Sequence, residues 1–79
     1  MTIYQNKYTQ AVFEILEPLL GKSMAQGAVK AQIKAIGSSE ETLTLSDLPK
    51  LSEGVKKGLV IFIGSDAAQK VAAQIVKLK

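Results

Sequence analysis

The chain has 79 residues, a net charge of +3, and neither cysteine nor histidine. One domain is the most such a length holds, and a fold this small buries only about 60% of the surface its unfolded form exposes. Disulfide staples and ordinary zinc sites are excluded, so the margin must come from close packing or from association. A hydrophobic share of 47% argues against disorder.

All ten basic residues are lysine. Lysine is a solvated point charge, whereas bidentate reading of bases and phosphates normally uses arginine. The N-terminus lacks a basic start followed by an apolar run. The longest uninterrupted apolar run, 59–63, is far short of the roughly 20 residues of a membrane span. The expectation is a soluble cytoplasmic protein with no membrane contact.

The first helix is expected over residues 3–20. Thr2 and Gln5 have the spacing of a capping box. Tyr4, Tyr8, Val12, Ile15, Leu16 and Leu19 form one apolar stripe. Pro18 predicts a kink, or an end near Glu17, because its ring clashes with the carbonyl of Glu14. Gly21 then supplies the stop.

A second helix is expected over 24–36, with Ser23 and Gln26 as its capping box and Gly37 as its C-terminal glycine. Its polar residues Gln26, Lys30 and Lys34 occupy one narrow arc. A helix that is apolar or small elsewhere is expected at the centre of the fold. Gly27, Ala31 and Ala35 recur every four residues, as a close helix crossing requires. Gln32 falls inside the apolar arc, either as a buried amide with partners or at a contact seam.

A polar linker follows. Within it 42–45 alternates as a short strand does, or else Thr44 caps the next helix with Asp47 three residues on. Pro49 suits a first helical turn. A third helix is expected over 46–57, with Leu48, Leu51, Val55, Leu59 and Phe62 in step and Gly58 as its stop. The run Leu59-Val60-Ile61-Phe62-Ile63 lies between Gly58 and Gly64 and is rich in β-branched residues, which favours extended backbone. A fourth helix is expected from Asp66 onward, capped by Ser65, with Ala68, Val71, Ala72, Ile75 and Val76 buried.

The predicted fold is therefore mainly α. It is a compact four-helix domain, 1–79, arranged around the second helix, with a short buried extended segment at 59–63. The alternative is an α+β fold pairing strands at 42–45 and 59–63.

The chain lacks the residues of ordinary catalysis. No histidine serves as a base near neutral pH, no thiolate is available, and no serine has an activating partner. Glu14 and Glu17 read as two solvated acids on a helix face. Gly21-Lys22-Ser23 echoes the end of a P-loop, but the upstream glycine that motif needs is Leu16. The function expected is a non-catalytic protein-interaction or regulatory module without a cofactor or metal. Its partner is a second copy of the chain, as in a homodimer, or another protein. The candidate interaction surface is Gly27, Ala31, Ala35, Leu59, Ile61 and Ile63. The alternative is non-specific nucleic-acid binding through Lys22, Lys30 and Lys34, which track a phosphate backbone as a stripe.

Overall fold

The computed structural model describes residues 4–78. Three helices follow in order: α1 (Lys7–Leu20), α2 (Lys22–Ala35) and α3 (Leu48–Val76). A single 3₁₀ turn over Leu45–Asp47 leads into α3. Together they make a small, compact, helical body.

The start of α1 is set by Asn6, whose side-chain oxygen accepts from the Tyr8 and Thr9 backbone N–H groups at 2.9 and 3.1 Å. Asn is among the best residues for that position, because it satisfies donors the first turn leaves open. The expected box at Thr2 lies outside the described residues. Pro18 does not end the helix. It sits in the last turn, where it costs one intrahelical bond to the carbonyl of exposed Glu14, a group that water reaches.

Gly21 joins α1 to α2 alone. Its φ of 83° and ψ of 161° belong to a region that only glycine enters without strain, and its N–H closes on the Glu17 carbonyl at 2.8 Å. The same residue opens α2, so Ser23 lies inside the helix and makes no cap. At the other end, Gly37 N–H bonds the Lys34 carbonyl and Ser38 N–H the Ile33 carbonyl, a Schellman ending.

The core is a single cluster. Val12, Phe13 and Leu16 come from α1, Ala25, Val29 and Ile33 from α2, and Leu48, Leu51, Val55 and Leu59 from α3. Ala68, Val71 and Ile75 complete it from the far arm of α3, and Leu43 from the linker. Burying one such side chain contributes about 1.5–3 kcal/mol. Tyr4 meets the Phe13 ring edge-on, with centroids 5.6 Å apart.

Four features of the predicted fold are overturned. There are three helices, not four, and no strand occurs among the described residues, which also removes the α+β alternative. Residues 42–45 form turn, coil and the start of the 3₁₀ turn. Residues 59–63 are neither extended nor wholly buried: they continue the helix that began at Leu48. Helix satisfies the N–H groups of that apolar run internally and leaves only carbonyls near the break at Gly64, on largely exposed residues, to water, which outweighs the weak preference of its β-branched residues. Gly58 is therefore helix interior, and the break falls at Gly64, with φ 85° and ψ 164°.

α2 packs against both other helices, but on one side only. Only Ala25, Val29 and Ile33 are buried on it, while Gly27, Ala31 and Ala35 are exposed. α1 and α3 pack toward the side that carries the buried residues, and the opposite side is exposed among the described residues.

By length and composition Leu45–Val76 is long and apolar enough to cross a membrane, which the short uninterrupted run does not reveal. In the fold it is bent at Gly64, and both arms supply core residues.

Candidate functional site

A groove of about 420 Å³ runs between α2 and the first arm of α3. Its floor and walls combine Leu20, Met24, Gly27, Ala28, Val55 and Gly58 with Leu59 and Phe62. Ser23 and Gln32 are the polar residues in it. Small residues make it concave. Gly27 carries no side chain, and nothing lies within 4 Å of where its Cβ would be. Met24 and Phe62 rise at one end, 50% and 64% exposed.

The helical glycines of α3 have a different cause. A Cβ at Gly54 would collide with Gln32 Oε1, and one at Gly58 would stand 3.3 Å from Gln32 Nε2. The half-buried amide of Gln32 thus lies across the two glycines, at the seam between α2 and α3. Each glycine costs about 1 kcal/mol of helix propensity relative to alanine. Room for that amide is the structural reason at 54 and 58. Gly27 has no such reason within the chain.

Of the predicted surface residues, Gly27 and Leu59 line the groove, Leu59 as a buried part of its wall. Ala31 and Ala35 continue the exposed side of α2 beyond Gly27. Ile61 projects into solvent at 87% exposure, and Ile63 is half-buried against the core. Lys22, Lys30 and Lys34 are all exposed. Lys30 and Lys34 border a second crease that also contains Glu40, so the lysine stripe does not face solvent as one uniform cationic track. Among the described residues, no three potential metal ligands come together.

At the opposite end the linker 37–47 is closed down by polar bonds. Asn6 Nδ2 donates to the Glu41 and Leu43 carbonyls at 3.1 and 2.8 Å. The buried Thr9 hydroxyl donates to the Glu40 carbonyl at 2.7 Å. Burial, with the Glu40 carboxylate beside it as charge and hydrogen-bond acceptor, raises the Tyr4 phenol above its ordinary pKa. Asp47 Oδ2 accepts from the Thr44 N–H and hydroxyl, each at 3.0 Å. The Thr44 backbone bond first, and its hydroxyl second, hold that carboxylate below the usual aspartate range.

Sequence reading missed Asn6, Thr9 and the pairing of Gln32 with Gly54 and Gly58. Two of these left a signal: Asn6 is a preferred cap residue just before the apolar stripe, and Gly54 and Gly58 are two glycines four apart in an otherwise helical pattern.

Comparison with protein-family models, with curated proteins and with solved structures returned no match to this chain.

Proposed function

We propose that the chain is a small non-catalytic interaction module, of the kind that serves as a regulatory subunit or adaptor, and that the α2–α3 groove is its docking surface. One observation carries this reading: Gly27 borders the groove as an exposed helix-interior glycine, and no close contact within the chain accounts for its cost to helix stability. The apolar lining and the exposed Met24 and Phe62 beside it support it, because a contiguous apolar patch on a small protein marks an association site. The occupant is a second copy of the chain or another protein.

A photoreactive residue at position 31, compared with one at exposed position 74, tests this inside cells that make the protein. Adducts from position 31 to one identified polypeptide, absent from position 74, are expected. No excess from position 31 counts against the reading.

A second reading, loose contact with nucleic-acid backbone through Lys22, Lys30 and Lys34, draws on α2 having three lysines and no acid. A gel shift at low salt without retardation removes it.

A further inference from the structure

We infer that two copies of this chain exchange the far arm of α3, with Gly64 as the hinge. The exchange does not involve the groove. Helix runs on both sides of Gly64, and that one residue, at φ 85° and ψ 164°, makes the whole corner. Nothing lies within 4 Å of where its Cβ would be, so the space beside the hinge is open. Glycine also enters the ordinary helical region. There the break closes, and carbonyls before the corner and N–H groups after it gain intrahelical partners.

Length fixes the consequence. A straight Leu48–Val76 helix of 29 residues is about 43 Å long. The longest extent of the body is 29 Å. The far arm of a straight α3 therefore leaves its own core. It carries Ala68, Val71 and Ile75, all buried, and their departure uncovers that core on one side. A second straightened copy offers the same vacated surface. Reciprocal exchange restores between two chains the arm-to-core packing that each closed chain makes within itself. Swapping an identical element is a low-cost route to a dimer for that reason.

Chain connection places the new contact. In the exchanged pair, Ser65 of one copy takes the place beside Ile63 of the other, so the two long helices meet near the hinge. Val60, Ile61 and Phe62 stand just before it and are exposed in the closed chain, Ile61 at 87%. Exchange brings each set against the other copy. The corner at Gly21 has nearly the same φ and ψ, 83° and 161°, but a continuous α1–α2 helix would carry the Pro18 kink in its interior. α3 has no proline beyond Pro49 in its first turn.

Crosslinking tests the exchange. Lys56 and Ala73 line the crease between the two arms of α3. Chains with Lys56→Cys and chains with Ala73→Cys are mixed, unfolded and refolded together at millimolar concentration. They are then treated with the shortest bismaleimide that joins both positions within one dilute chain carrying the pair. The experiment is run with Gly64 and with Gly64→Ala, because alanine favours the helical region and disfavours φ near 85°. Links from 56 of one chain to 73 of the other are expected by peptide mass spectrometry. Gly64→Ala is expected to lower the dimer dissociation constant, by sedimentation, at least about tenfold for each of the two corners relieved. Absence of the interchain link in the Gly64 chains and in folded Gly64→Ala chains overturns the inference, whether the chains are monomers or dimers. If Gly64→Ala does not fold, its absence in the Gly64 chains alone overturns it. A link that forms while Gly64→Ala leaves the dissociation constant unchanged overturns Gly64 as the hinge.

Discussion

The two ends of this three-helix body are finished differently. Where α1 begins and α2 ends, the linker 37–47 folds over the core and buries Leu43, and Asn6, Thr9 and Tyr4 tie it down. Where α1 turns into α2 and α3 bends, single glycines make the corners. There Leu19, Met24, Val60, Ile61 and Phe62 stay exposed, five of the seven large apolar side chains so placed among the described residues. One end satisfies its polar groups within the chain. The other leaves apolar surface exposed. On the function proposed above, the first end serves stability and the second association, and substitutions at the two ends should separate those roles.

The largest effect is expected at the closed end. Asn6→Ala removes the α1 cap and two bonds to linker carbonyls. At about 1 kcal/mol for the cap and about 1 kcal/mol for each bond, the loss is about 3 kcal/mol by chemical denaturation. Asn6→Ser keeps a cap but cannot reach Glu41 and Leu43, so about two thirds of that loss should persist. A loss confined to the cap alone would show that the linker is not held from Asn6.

Next comes the bend. Gly64→Ala forces a side chain into the backbone region entered at φ 85°, at a cost of about 1–3 kcal/mol. Gly21→Ala, at φ 83°, should cost a similar amount, because the two corners share one geometry. A Gly64 variant as stable as the wild type would mean that α3 runs straight at no penalty.

The seam between α2 and α3 gives a smaller and more specific effect. Gly54→Ala gains helix propensity of about 1 kcal/mol but displaces the Gln32 amide, so its net change should be near zero or unfavourable. In the Gln32→Ala background the same substitution should recover the full gain. A double-mutant cycle with no coupling would remove Gln32 from that contact.

The smallest effect is a pH dependence. Asp47 is held below its ordinary pKa in the folded chain, first by the Thr44 N–H. Its contribution is therefore present above the normal aspartate range and is lost as pH falls through the lowered value. Asp47→Asn should flatten the acid limb of a stability–pH curve and leave it unchanged near neutrality apart from a constant offset. An unaltered acid limb would show that this carboxylate is not engaged.

How far the sequence foretold this structure follows the range of the interactions involved. Helical class, the corner at Gly21, the ending at Gly37 and the pairing of Thr44 with Asp47 depend on residues within a few positions of one another, and all could be read. The buried stripe Leu48, Leu51, Val55 and Leu59 was legible from its spacing. Gly58 was misread because a helix stop and a close helix contact place the same residue in the same pattern; only Gln32, 26 positions away, distinguishes them. The tie from Asn6 and Thr9 to the linker was missed because those carbonyls lie more than 30 residues on; the Asn6 cap is local, and was missed because Thr2 with Gln5 offered a competing box. For the small residues of α2 the sequence left core and interaction surface both open, because small residues suit burial and close approach from outside equally.

The central claim concerns the open end, and Gly27 tests it most directly. Gly27→Leu replaces a helix-interior glycine at a position with nothing within 4 Å of its Cβ, so the free chain should become more stable by about 0.5–1 kcal/mol. The same side chain adds bulk at the groove's lining. Measured on one preparation, stability should rise while crosslinking from position 31 falls at least about tenfold. A Gly27→Leu chain that is more stable and binds as well as the wild type would contradict the account.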